Sequence, residues 1–344
     1  MSIDLISALK SNPFALAPMA GITDPCFRTF MRELGCGIVV SELVSSHGIE
    51  YKSTRTLALM GYEEIQRPVG IQLFGDDAEI LGRAAKVVEE HGADFVDLNF
   101  GCPVPKVVKK GGGSAVLKDL AQVERIFRAV KAATSLPVTV KIRTGWDEST
   151  RNAEKVSELA FNEGLTWVAI HGRTRAAGYS GQADWDYIST VKAKSKIPII
   201  GNGDIHSADQ AVARLKESAC DGVMIGRGCL KNPWIFRESL ELWQNVSACN
   251  ARNTDISNDF VVLFNKMRTA FEVRVDQKIT MLQIKKFASW YSSGYPGASA
   301  FRKAIFQTQS LDDTMSLTLD FFGALNSIVP VDTSDEGFLM GGHG

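Results

Sequence analysis

Net charge is almost missing from this sequence: 38 Lys and Arg stand against 39 Asp and Glu in 344 residues. A global field that would gather nucleic acid is excluded, so any charge-driven recognition must be local. Cysteine is sparse as well. Cys26, Cys36, Cys102, Cys220, Cys229 and Cys249 form no C-x-x-C pair, which removes the usual signatures of a zinc or iron–sulfur site. No apolar run approaches the ~18 residues of a membrane span, and the start, MSIDLISALKSN, lacks a basic region followed by a long apolar one. The expectation is a chain in a reducing cytoplasm with free thiols, without a membrane and without an obligate protein partner. No G-x-G-x-x-G follows the first apolar run, which disfavours an open dinucleotide-binding sheet.

What is present is a rhythm. Eight short Val/Ile-rich runs recur, FALAPMAG (14–21), GIVVSEL (37–43), RPVGIQLFG (67–75), ADFVDLNFG (93–101), LPVTVKIRTG (136–145), LTWVAIHG (165–172), KIPIIGNGDI (196–205) and CDGVMIGRG (220–228). Each is short enough to be a buried strand. Amphipathic stretches lie between most of them, such as DDAEILGRAAKVVEEHG (76–92), with an Asp start and a Gly stop. Eight βα units close most simply into a TIM (β/α)8 barrel, which uses ~250 residues. After NPWIFRESLELWQ the strand signal stops and residues 250–325 read as helices. TMLQIKKFASWYS (280–292) puts Ile284, Phe287 and Tyr291 on one face, and SAFRKAIFQTQS (299–310) opens on a Ser cap candidate. We expect a barrel domain at 1–245, a smaller all-α domain at 246–325 and a disordered tail at 326–344. Segment 262–303 is locally basic, with eight Lys and Arg against Glu272 and Asp276.

Chemistry in such a barrel belongs at the C-terminal strand ends. In order these offer Pro18, Met19 and Ala20; Glu42; Gln72; Asn99 through Cys102; Lys141 and Arg143; His171 and Arg173; Gly201-Asn202-Gly203-Asp204; and Gly226-Arg227-Gly228. A polar group interrupts every run at the same relative place, which makes one polar mouth. The last two ends let backbone N–H groups approach an anion, and Arg227 adds a fixed charge. A phosphorylated cofactor is expected there, because barrels of this kind build phosphate pockets after strands seven and eight. Lys141 is a lone cation deep in the mouth. It would stabilise a reduced, anionic flavin beside it, or form a structural ion pair with Asp97; position alone leaves both open.

Seven motifs in order, PMAGITD (18–24), GIQLFG (70–75), DLNFGCPVPKV (97–107), VKIRTGWD (140–147), IHGRTR (170–175), GNGDI (201–205) and IGRG (225–228), resemble those of the tRNA-dihydrouridine synthase family in its bacterial form. The likeness spans roughly 12–310 and includes ASWYSSGYPGASAFRKAI. It implies an FMN-binding TIM barrel that takes electrons from NADPH and reduces the C5=C6 bond of selected uridines in tRNA. By motif matching, Pro18, Met19, Ala20, Gln72, Lys141, His171, Asn202, Gly203, Asp204, Gly226 and Arg227 would contact FMN, Cys102 would be the catalytic acid, and the C-terminal helices would recognise RNA.

On that reading, Cys102 delivers a proton to uracil C5 while hydride arrives at C6. An unperturbed thiol, with a pKa of ~8.5, is mostly protonated at neutral pH and can act as an acid without tuning. Asn99 would hold the base edge, and Arg143 and Arg173 the base or a phosphate. A uridine turned out of folded tRNA costs a few kcal/mol of stacking. Backbone contacts from Lys278, Lys285, Lys286, Arg302 and Lys303 would recover it, with Trp290 or Tyr295 free to stack. The rival readings are an FMN-dependent reductase of a free pyrimidine, for which a basic helical module is unnecessary, and a tRNA-binding folding factor with a vestigial barrel.

Overall fold

The computed structural model describes residues 3–245, 256–326, 328, 330 and 331. Eight parallel strands follow the expected runs: β1 (Phe14–Leu16), β2 (Val39–Ser45), β3 (Val69–Phe74), β4 (Phe95–Phe100), β5 (Val138–Arg143), β6 (Val168–His171), β7 (Ile199–Asn202) and β8 (Gly222–Ile225). Each pairs with its successor from β2 to β8, and β8 pairs with β1. An Ala15–Ile38 bridge, with Leu16 N–H donating to Ile38 O at 2.9 Å, closes the ring between β1 and β2. The (β/α)8 barrel is therefore as expected, with strands shorter than the apolar runs. In the first run pairing ends at Leu16, because Pro18 has no N–H and Met19 turns back onto Thr23.

Strand alternation sorts side chains onto two faces. Ala15, Ala17, Ile38, Val40, Phe95, Trp167, Ala169, Ile200 and Met224 fill the inside of the barrel, together with Leu5 and Leu9 from the first helix (Leu5–Ser11). Residues of the opposite parity, among them Leu16, Val39, Ile71, Val96, Val140, Ile170 and Val223, face the outer helices. Those helices start where acidic or hydroxyl side chains take the free N–H groups of the first turn: Asp77 that of Ile80, Asp184 that of Tyr187, Ser207 that of Gln210. The inside parity thus puts Gln72, Asp97, Asn99, Lys141, His171 and Asn202 at the upper end of the barrel.

The remaining helices are Ile256–Glu272, Gln277–Tyr291, Ala298–Gln307 and Leu311–Gly323. Ile284, Phe287 and Tyr291 are buried together as the periodicity implied. Ser299 is not the cap: the helix begins one residue earlier, after Gly297, with Ser299 inside its first turn. These helices join the barrel through aromatic contacts on helix Pro25–Glu33. Phe27 stacks on Phe287 with centroids 5.3 Å apart, and Phe30 meets Phe271 edge-on. The expected boundary at 245/246 falls beside residues 246–255, and most of the expected tail, 326–344, likewise lies outside the described residues. Among the described residues, no helix is long and apolar enough to cross a membrane, and no cluster of candidate metal ligands occurs.

Candidate active site

The barrel mouth opens into a cavity of about 110 Å³. Nine of the eleven residues expected to hold a cofactor line it: Pro18, Met19, Lys141, His171, Asn202, Gly203, Asp204, Gly226 and Arg227. Ala20 is exposed on the neighbouring turn and Gln72 is fully buried, and neither is part of the lining. Ala17, Tyr179, Ile205, His206, Met224 and Gly228 complete the wall.

Several polar side chains of the lining hold one another or nearby backbone. Lys141 Nζ donates to Asn202 Oδ1 at 3.0 Å, and Asn202 Nδ2 donates to Met224 O at 2.7 Å. That answers the question of an ion pair: Asp97 is instead held by Thr139 Oγ1 and Gln72 Nε2, each at 2.6 Å. Burial, aided by the charge of Arg143, draws the Lys141 ammonium down to about 8, with Asp97 pulling the other way. Burial pushes Asp97 up to about 6. Burial and the surrounding cations, Lys141 first, hold His171 well below its usual value, so its ring is neutral. Arg173 Nη1 lies 3.4 Å from His171 Nε2, and since a guanidinium only donates, that nitrogen accepts.

Asp204 organises the side of the cavity at the end of β7. Its carboxylate takes Arg173 Nη1 at 2.8 Å and the Ala183 N–H at 2.7 Å. Burial works against the charge, but these bonds outweigh it and keep the carboxyl below its usual range. Gly203 must be glycine: its φ is +132°, and a Cβ would fall 2.5 Å from Ala183 Cβ.

The thiol side is built from β3 and β4. Gln72 Oε1 accepts from Asn99 Nδ2 at 2.8 Å. Asn99 Oδ1 in turn accepts the N–H of Cys102 at 2.9 Å and of Gly101 at 3.3 Å. Ser114 Oγ donates to Cys102 O at 2.9 Å. Of the five described cysteines, four are buried and Cys102 alone is half-exposed. Cys102 is outside the cavity lining, two residues past the end of β4, the strand next to that of Lys141: Asn99 and Lys141 are direct partners across β4 and β5. Burial raises its thiol above the ordinary value, against the Val104 N–H and the charges of Arg143 and Lys141. It is therefore protonated at neutral pH.

The residues expected to meet substrate divide. Arg143 spends its donors on backbone: Nε on Gly101 O, Nη1 on Thr174 O and Gly178 O. Arg173 likewise holds Ser180 O and Gly181 O besides Asp204. Both clamp the strand-end loops. Lys285 is buried, its Nζ on Thr308 O at 2.6 Å, at the C-terminus of helix Ala298–Gln307. Lys286 reaches back to the barrel and donates to Gly21 O at 2.5 Å. Trp290 and Tyr295 belong to the aromatic core. Arg302 is half-buried, and Lys278 and Lys303 are exposed. Two features escaped the sequence reading. Tyr179, between Gly178 and Gly181, stands over Arg227 at 4.7 Å and over Arg143 at 5.7 Å. Trp146 has Lys118 at 3.6 Å and Arg175 at 4.5 Å from its ring centre.

The donor set suits a planar anion. Two cations, Lys141 and Arg227, outweigh one carboxylate, and Pro18, Met19 and Met224 offer an apolar wall.

The dihydrouridine synthase (Dus) family model matches residues 15–326. The probable tRNA-dihydrouridine synthase of Rickettsia conorii is 39% identical over 86% of this chain and 89% of its own length. The tRNA-dihydrouridine synthase B of Pseudomonas putida is 38% identical over 89% of both chains. Among solved structures, the histamine dehydrogenase of Rhizobium sp. 4-9 superposes with a TM-score of 0.51 at 15% identity, over 67% of this chain and 46% of that one. The 6-hydroxypseudooxynicotine amine oxidase of Pseudomonas geniculata N1 gives 0.51 at 16%, over 68% and 48%. The chain thus spans less than half of either structure, and at these identities the likeness concerns the barrel fold alone.

Proposed function

The chain belongs to the dihydrouridine synthase family, and from that premise we propose that it reduces the C5=C6 bond of uridines in tRNA to 5,6-dihydrouridine, with FMN as cofactor and NADPH as electron donor. The observation that carries the reading is a convergence. Lys141, Asn202 and Arg227 line one cavity, and the one half-exposed thiol among the described cysteines stands at the adjoining strand end.

The lining fits FMN. Gly203, Asp204, Gly226 and Arg227 would hold its phosphate side, and Pro18, Met19, Lys141 and His171 its ring. A bound, reduced flavin supplies the hydride that the uracil C6 accepts. The chain's own part is to position and to protonate. Lys141 holds a positive charge against the ring while His171, neutral, adds none. Asn99 fixes the backbone of Cys102 through its amide oxygen and turns toward Gln72 through its nitrogen. Cys102 Sγ gives its proton to uracil C5, so that hydride at C6 and proton at C5 together complete the reduction. General acid catalysis of this kind contributes ~10²–10⁴ in rate.

Exposed Lys278 and Lys303, with Arg302, would meet the phosphate backbone. Lys106, Lys109 and Lys110, exposed just after Cys102, would do so nearer the mouth. The test is to supply the purified, flavin-loaded protein with NADPH and either unmodified tRNA or free uracil and orotate. NADPH oxidation with dihydrouridine formed in tRNA is expected, and none with the free bases. Turnover of the free bases alone would replace this reading with that of a small-molecule reductase.

A further inference from the structure

The turn that carries Pro18 and Met19 into the cavity is gripped from outside the barrel. Gly21, with φ of +71°, turns its N–H and its carbonyl toward side chains from other elements. The Glu42 carboxyl stands beside its N–H, which offsets part of the burial that raises that group above the usual carboxylate range. The Gly21 carbonyl accepts from Lys286 Nζ at 2.5 Å, from helix Gln277–Tyr291. Glu42 reaches this place because β2 is irregular: its register on β3 shifts between Val40 and Leu43, and Ser41 Oγ accepts the Gln72 N–H where the ladder slips. Bulges of this sort re-aim side chains beside active sites. Glu42 Oε1 is buried without a hydrogen-bond partner.

Lys286 is seated for the task. Its ammonium lies 5.4 Å from the Phe287 ring centre and 5.0 Å from that of Trp290. Phe287 also stacks on Phe27 of helix Pro25–Glu33, the helix that the Gly21 turn leads into and that Asp24 caps at Phe27 N. Asp24 and Glu42 are the acids whose charge Lys286 feels. A lysine on the surface of a basic helix would instead face solvent.

We propose that Lys286 is a positioning residue: from the helical region it fixes the Gly21 peptide against Glu42, and thereby the Pro18–Met19 wall of the cofactor cavity. The inference rests on the proposed function, since the cavity is read as the FMN site. It makes the helical region part of the cofactor site and removes Lys286 from the RNA-contacting surface.

FMN dissociation constants of the apoprotein, from quenching of flavin fluorescence, and the salt dependence of tRNA binding at saturating FMN test it. Lys286→Met should weaken FMN about tenfold and Glu42→Gln about threefold. The double variant should be no weaker than Lys286→Met alone, because both act on the one Gly21 turn. The salt slope for tRNA should be unchanged. Lys286→Arg, which keeps a charged donor, should recover most of the FMN affinity. If Lys286→Met does not fold, Glu42→Gln and Lys286→Arg carry the test: an unchanged constant in the first, or a tenfold loss in the second, overturns the proposal. So does an unchanged FMN constant in folded Lys286→Met, with or without a tRNA salt slope lowered by about one. A wild-type protein that binds no FMN would overturn the proposed function as well, which distinguishes the two failures.

Discussion

The two sides of the barrel mouth are fixed by different means. On the cavity side, at the ends of β5 to β8, side chains hold side chains: Lys141 on Asn202, Arg173 on Asp204. The backbone there is committed as well, with Asp204 at φ of +49°. On the thiol side, Asn99 and Ser114 hold only the main chain of Cys102. The helical turn that follows, Pro105–Val108, has no side-chain cap and no buried residue. Few buried contacts mean a low cost of local opening. The lesson is a division of labour: a pre-formed seat for the group that stays, and a thiol whose backbone is fixed beside a segment able to adapt to the group that comes and goes.

Changing the seat should therefore act on the cofactor, and the largest effect should come from Lys141. Lys141→Met is expected to weaken FMN by about 30-fold or more, since removing one partner of a buried charged contact costs ~2–5 kcal/mol. Flavin content after gel filtration and titration of the apoprotein would show it. Unchanged affinity would break the contrast between the two sides.

Gly203→Ala comes next. The added methyl meets Ala183 in a backbone conformation that side chains rarely adopt, so a loss of ~1–3 kcal/mol of stability is expected, together with weaker FMN binding. Thermal unfolding with and without FMN separates the two.

The pH response sharpens the comparison. Lys141 loses its proton near pH 8 in the folded protein, so FMN affinity should fall as pH rises through that value. The unfolded chain keeps the same proton up to ~10.4. Between those limits the unfolded state binds more protons, so this group makes folding of the apoprotein more favourable as pH rises. Opposite slopes for FMN affinity and apoprotein stability, measured in one buffer series, are the expected signature.

The smallest effects lie on the helical region, where adjacent cations should behave unlike each other. Arg302→Ala should weaken tRNA at all sequences and lower the salt slope by about one. Lys285→Met should leave the slope alone and cost ~1 kcal/mol of stability, because its ammonium serves Thr308 O rather than solvent.

What could be read in the sequence follows the same division. The regular place of each polar interruption located Lys141, His171 and Asn202 at the strand ends, and the strand parity seen in the structure then turns them inward. The glycine-rich ends GNGD and GRG reach the same cavity, with Gly203, Gly226 and Gly228 in its lining. Gln72 shared that parity but lies one layer deeper, where Asp97 and Asn99 occupy its amide. Glu42 was visible as a strand-end acid, but the slip in β2 that aims it was not, since a register shift depends on the neighbouring strand. Lys285 and Lys286 read alike as surface charge. Their partners are the carbonyls of Thr308 and Gly21, 23 and 265 residues away in sequence, and no local pattern encodes such contacts. Trp290 and Tyr295 read as free aromatics for the same reason: the helices that bury them come from elsewhere in the chain.

The central claim is that Cys102 protonates the base whose other face meets the reduced flavin. Single-turnover mixing of the reduced holoenzyme with unmodified tRNA, following flavin absorbance for the native protein and for Cys102→Ala, addresses it directly. The account predicts equal flavin content in both and reoxidation at least ~10²-fold slower in the variant. Reoxidation at the same rate, with dihydrouridine formed in the same yield, would contradict it.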